Sequence, residues 1–215
     1  MSESVRTYRI RLVGTTPLVM HNNQLVNPLH PLKKAIASIT AKGKKKTEAD
    51  ILKLYRLEFQ ASLYIDGLLG PYIPAQNLRK LMIEAARKSK DGKQFESGLF
   101  IDADAPVEYE GPRDMEGLLG RMDDFAWTTV CGNQRASIMR TRARFKTWAA
   151  EFSAIVETSL VSPEMIDNAL SHSRFIGICD GRSINCGRFN ASIADQPCRS
   201  SRQDAADREP VSSAL

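Results

Sequence analysis

Arginine at every second position, Arg140, Arg142 and Arg144, is the first pattern in this chain that could do chemistry. On a β-strand a period of two puts all three guanidinium groups on one face, and Lys146 extends the row. Cations set side by side repel unless an anion or neighbouring carboxylates compensate, and phosphate matches the planar donors of guanidinium well. The acidic interval from Asp102 to Asp124 holds carboxylates that could instead pair with the row across strands. A second pattern runs from Asp180 to Phe189, where Gly181 and Gly187 alternate with Arg182 and Arg188. Glycine admits positive φ and close backbone approach, so this segment reads as an anion-binding loop, or as a glycine-containing hairpin with exposed arginines.

Further positive charge lies in Lys42, Lys44, Lys45 and Lys46, the most basic stretch of the chain, which suits sequence-independent contact with a phosphate backbone. Arg79 and Lys80, followed by Arg87, Lys88 and Lys90, add cations to a helical segment. Trp127, Trp148 and the tyrosines could stack on bases. Conventional catalytic signatures are missing: His21, His30 and His172 are isolated, and there is no HxxxH pair, nucleophile elbow, Walker A loop or dinucleotide fingerprint. Cys131, Cys179, Cys186 and Cys198 form no CxxC pair, so neither a metal nor any other cofactor is expected, and the thiols read as free in a reducing compartment.

These residues must be positioned by an ordinary globular core, since 215 residues with 42% hydrophobic content can bury one. A formal charge of +5 and an isoelectric point near 9.1 favour an acidic partner. No apolar run reaches bilayer length and the first residues lack a signal-peptide apolar core, so a cytoplasmic protein with no membrane partner is expected.

Alternation of Tyr8, Ile10 and Leu12 with Arg9 and Arg11 predicts a half-buried strand over 7–13, continued as an extended segment at 18–21. After an Asn- and Pro-rich loop, a helix over 32–39 leads into the lysine loop. Thr47 caps a second helix reaching about Tyr64, and Leu78, Leu81, Met82 and Ala85 mark a third over 76–88. Short strands are expected at 99–101 and 107–109, a hairpin at 125–130 and 136–145 turning through Cys131-Gly-Asn-Gln, and a strand within 148–160. Ser162-Pro163-Glu164 starts a helix that ends near Phe175-Ile-Gly. A glycine loop and last strand follow, and the polar composition of 195–215 predicts a disordered tail.

Strand, helix, strand, strand, helix, strand with long insertions is compatible with an α+β, ferredoxin-like or RRM-type fold: an antiparallel sheet with helices on one face. Gly14-Thr-Thr-Pro-Leu, Tyr72-Ile-Pro-Ala-Gln-Asn-Leu-Arg-Lys and the glycine loop resemble features of the RAMP superfamily, which includes backbone subunits of CRISPR effector complexes. Over about residues 7–193 the chain more closely resembles a widespread set of uncharacterised tailed-phage and prophage proteins, through Pro17-Leu-Val-Met-His-Asn, Gly70-Pro-Tyr-Ile-Pro-Ala, Gly98-Leu-Phe-Ile-Asp and Met139-Arg-Thr-Arg. Ala143 replaces an expected proline, and Arg182-Ser-Ile replaces an aromatic-arginine-proline sequence, which bears on a stacking contact in the loop. The resemblance implies one RAMP-like domain over 1–194 with a basic insertion near 32–50. It also implies non-enzymatic binding of single-stranded RNA or DNA by a homo-oligomer or larger complex along the strand. The alternatives are a phage protein that binds or mimics a host defence subunit, an anti-CRISPR-like role, and a metal-independent endoribonuclease using His21 or Asp180.

Overall fold

The computed structural model describes residues 4–133 and 136–194, so the predicted disordered tail and the tip of the predicted hairpin lie outside the described residues. The fold is α+β and its strand pairings are antiparallel. Strand β1 (Val5–Gly14) follows the predicted alternation, and β2 (Leu18–Val19) continues it after Pro17. Helix α1 (Pro31–Thr40) starts with His30 Nδ1 accepting the Leu32 amide and a proline in its first turn. Helix α2 (Glu48–Ser62) opens on a reciprocal capping box between Thr47 and Asp50.

A turn around Gly67 joins a small ribbon, β3 (Ile65–Asp66) and β4 (Gly70–Ile73), before α3 (Ala75–Ala86). Three short helices were not legible in the periodicity: α4 (Gly92–Gly98) before β5 (Leu99–Phe100) and β6 (Ala105–Glu108), then α5 (Met115–Gly120) and α6 (Met122–Phe125). Each is too short to display a repeating apolar face. Phe125 therefore closes α6 instead of opening the hairpin; its ring packs with Tyr109 at 5.6 Å and Phe145 at 5.9 Å. The hairpin strands are β7 (Ala126–Asn133), which runs farther toward the turn than predicted, and β8 (Ala136–Phe145), which has the predicted bounds. Next come β9 (Ala149–Glu157), α7 (Pro163–Ile176) and β10 (Phe189–Ile193). Helix α7 stops at Gly177, whose φ of +74° a side-chain-bearing residue rarely adopts.

Seven strands form the main sheet in the order β10-β1-β9-β6-β4-β3, with β5 also pairing with β9. Tyr8, Ile10 and Leu12 lie opposite Ala154, Phe152 and Ala150 in register, and this buried face shares one core with Leu78, Leu81 and Met82 of α3 and Ile166, Ala169 and Leu170 of α7. The opposite face carries Arg9, Arg11, Glu151 and Ser153. A second sheet, β2-β8-β7, joins the same core through Leu18, Ala143 and Phe145. Trp148 anchors the junction: its indole donates to the Thr16 carbonyl at 2.8 Å and lies so close to Gly14 that any Cβ there would overlap it. Among the described residues no helix is long and apolar enough to cross a membrane.

Candidate nucleic-acid interface

Strand β2 brings the two arginine-bearing patterns together. On one side Leu18 and Val19 pair with Phe145 and Arg144 of β8; on the other, Val19 bridges Asp180, whose amide donates to the Val19 carbonyl at 2.9 Å. The Gly187 amide donates to the Pro17 carbonyl at 2.8 Å, so the glycine loop runs along β2 as β8 does on the far edge. The arginine row and the glycine loop thus share one surface, although 40 positions separate Arg140 from Asp180 in a chain that passes through β9 and α7 between them.

Within the loop, Gly177, Cys179, Gly181, Asn185 and Gly187 all have positive φ. A Cβ on Gly187 would collide with the Ile178 carbonyl oxygen, and one on Gly181 would crowd Cys186. The close approach glycine provides here is of loop backbone to loop backbone. Arg182 pairs with Glu84 of α3 at 2.8 Å, and Arg188 folds back onto the Arg182 carbonyl at 3.2 Å. Burial pushes the Cys179 thiol up to about 12 and also raises the Cys186 thiol, so both stay protonated near neutrality.

The predicted carboxylate partners of the row, in the interval 102–124, are not the ones used. Arg140 Nη1 reaches Glu58 at 2.5 Å, and Arg142 Nη1 lies 2.7 Å from Asp180 Oδ2. Glu58 is buried, and its other oxygen accepts the Thr141 amide at 2.9 Å; Ser62 Oγ accepts the Ala143 amide at 2.8 Å. Side chains of α2 therefore cap the edge of β8 beyond the end of β2. A proline at 143 would have no amide hydrogen for Ser62, whereas Ala143 does. Arg144 sits over the Trp127 ring, with its guanidinium carbon 5.8 Å from the centroid, and Arg144 Nε and Arg188 Nη1 are shielded atoms without hydrogen-bond partners among the described residues.

The other predicted contacts divide. Lys80 lies on the cleft side of α3 near Glu84, whereas Arg79 is fastened to the Leu99 and Glu96 carbonyls at 3.2 and 2.6 Å. Lys146 does not extend the row, because β8 ends at Phe145 and the bend after it turns Lys146 into a separate hollow with Arg121 and Asp124. Lys42 pairs with Asp50 at 2.6 Å, while Lys44 and Lys45 lie in a short 3-10 turn (Gly43–Lys45) that Lys46 follows. The loop sits at the start of α2, about 15 Å along the helix from Glu58.

Below the arginines a cleft opens between α3, the glycine loop and the segment after β2, lined by His21, Tyr64, Asn77, Lys80 and Arg182 among others. The periodicities did not single out Tyr64 or Asn77. Tyr64 donates to the His21 carbonyl at 3.2 Å, and its ring centroid stands 6.0 Å from that of Tyr72. Burial lowers the His21 pKa, Arg142 pushes the same way and Asp180 opposes them. His21 also lines an adjoining hollow with Lys33, Glu58 and Arg140, so the cleft and the arginine row are continuous. Among the described residues no cluster of three or more histidine, cysteine or acidic side chains could hold a metal ion. No protein-family model matches the chain, and no curated protein matches it.

Proposed function

We propose that the chain is a non-enzymatic, RAMP-like single-stranded nucleic-acid-binding protein that works as an oligomer or complex subunit along the strand. The observation that carries this reading is the meeting of the arginine row and the glycine loop on either side of β2. The strand order supports a ferredoxin-like, RRM-type core. Taking β1, β6, β9 and β10 as its four strands, with α3 and α7 as its helices, the order β10-β1-β9-β6 is the fourth-first-third-second arrangement of such a sheet.

Binding through the open sheet face, where RRM aromatics stack bases, has less support. The central strands there present Arg9 and Arg11 paired with Glu151 and Glu108 at 3.0 and 2.7 Å, and no aromatic side chain of β1 or β9 faces that way. The Glu108 carboxyl is held below its usual range by its hydrogen bond to Arg11. The arginine surface suits phosphate better. A guanidinium has five donors, and a carboxylate partner occupies one or two, leaving half-exposed Arg140 and Arg182 with donors to spare. Arg144 and Arg188 have no carboxylate partner among the described residues.

A second reading, the metal-independent endoribonuclease, is favoured by one observation: His21 and Asp180 line the same cleft, and the lowered pKa of His21 keeps it neutral and able to accept a proton near pH 7. One assay addresses both. Filter binding of end-labelled single-stranded RNA and DNA of about 20 nucleotides at about 50 mM salt should show retention, weakened at least tenfold in the Arg142→Gln, Arg144→Gln double variant. No retention of either strand at that salt would overturn the binding reading. RNA recovered intact from the same mixtures after hours would remove the nuclease reading.

A further inference from the structure

We infer that the cleft beneath the arginine surface holds a single unstacked nucleobase of the bound strand, whose flanking phosphates stay outside on Arg142, Arg144 and Arg188. The inference rests on the binding reading above and concerns what the cleft itself recognises.

Charge within the cleft argues for a neutral occupant. Its lining contains two cations, Lys80 and Arg182, and two carboxylates, Glu84 and Asp180. Glu84 lies 2.8 Å from Arg182 and 4.0 Å from Lys80, and Asp180 lies 2.7 Å from Arg142. A phosphate pushed between them would gain guanidinium contacts but meet both carboxylates. Outside it, Arg144 and Arg188 make no ion pair with a carboxylate among the described residues.

Shape and hydrogen bonding argue for a flat, polar one. Leu81 and Ile178 supply apolar lining, and Tyr64, half-buried and tilted 54° against Tyr72, supplies an aromatic wall. Asn77 is placed by the first turns of α3 and interacts with both the Tyr64 hydroxyl and the Cys179 thiol. Its amide offers a donor and an acceptor side by side, as does a neutral imidazole across its two nitrogens, and each base presents donors and acceptors along one edge. Aromatic stacking together with amide pairing to an exposed base edge is how proteins read single strands.

The test separates base from backbone. Strands of about nine abasic residues carrying one central base, or none, are compared by fluorescence anisotropy at fixed salt. The strand with a base should bind fivefold or more tightly than the wholly abasic strand, consistent with the stacking of one base. Asn77→Ala should narrow the differences among adenine, cytosine, guanine and uracil at the central position, while Tyr64→Ala should abolish the advantage of having a base. Circular dichroism melts verify that each variant folds, and Asn77→Ala carries the test should Tyr64→Ala fail to fold. Equal affinity of abasic and base-bearing strands would overturn the inference and leave strand binding standing. Loss of binding to every strand would overturn both. Saturable binding of free nucleosides without any base effect in the strand would assign the cleft to small molecules and overturn it too.

Discussion

Gly187 shows how one residue holds the candidate interface in place. Its amide ties the loop to Pro17, its φ is +68°, and its bare α-carbon lies against the Ile178 carbonyl. Gly43 has a similar φ of +57° but nothing within reach of an added Cβ. The pair separates backbone strain from steric overlap. Gly43→Ala should cost about 1 kcal/mol, the left-handed penalty alone, and Gly187→Ala at least about 3 kcal/mol, because the overlap adds to it. Urea unfolding of both variants measures the difference, and equal losses would mean that the loop rearranges freely around the new methyl group. Sequence alone marked Gly187 as special but for a different reason: it suggested close approach to a ligand, whereas the carbonyl it approaches belongs to its own loop. A glycine reports that something comes close and cannot say what.

At the scale of elements, helix α2 completes a sheet edge that no strand covers. Strand β2 pairs with only two residues of β8, and beyond it the Thr141 and Ala143 amides are satisfied by Glu58 and Ser62. Buried amides left unpaired are costly, so this capping is part of what holds β8 against α2, where Arg140 meets Glu58. Glu58→Ala should destabilise the protein by about 3 kcal/mol, since it strands the Thr141 amide and removes the partner of Arg140. Glu58→Gln should lose less than half as much, because an amide oxygen can still accept from Thr141. Thermal and urea melts of the two variants check the ranking; equal losses would place the value of Glu58 in its charge. The helix itself was legible from its Thr47 cap and apolar spacing, and β8 from its alternation. That one caps the other was not, because both contacts span more than 80 residues of chain.

For the molecule as a whole, the separation of charge has a measurable consequence. The glycine loop and arginine row form one surface, while Lys44, Lys45 and Lys46 stand apart at the far end of α2. If a strand reaches both, about five neutralised phosphates give a slope near −3.5 in log affinity against log salt, and changing the three lysines to glutamine should reduce that slope by about 2. An unchanged slope would confine the strand to the arginine surface. Local patterns determined much of this protein: strand alternation, helix caps, the proline and glycine boundaries and the α+β class all follow from interactions within a few residues. They also supplied the arginines and the glycine loop as separate candidates. Only the tertiary structure decided that these share a surface across β2, that Glu58 and Asp180 rather than the acidic interval face the arginines, that Lys146 falls outside the row, and that Tyr64 and Asn77 meet His21 in a cleft. The reason is physical: side-chain periodicity records which face of an element is buried, but the partner on that face is set by packing among segments that are distant in the chain.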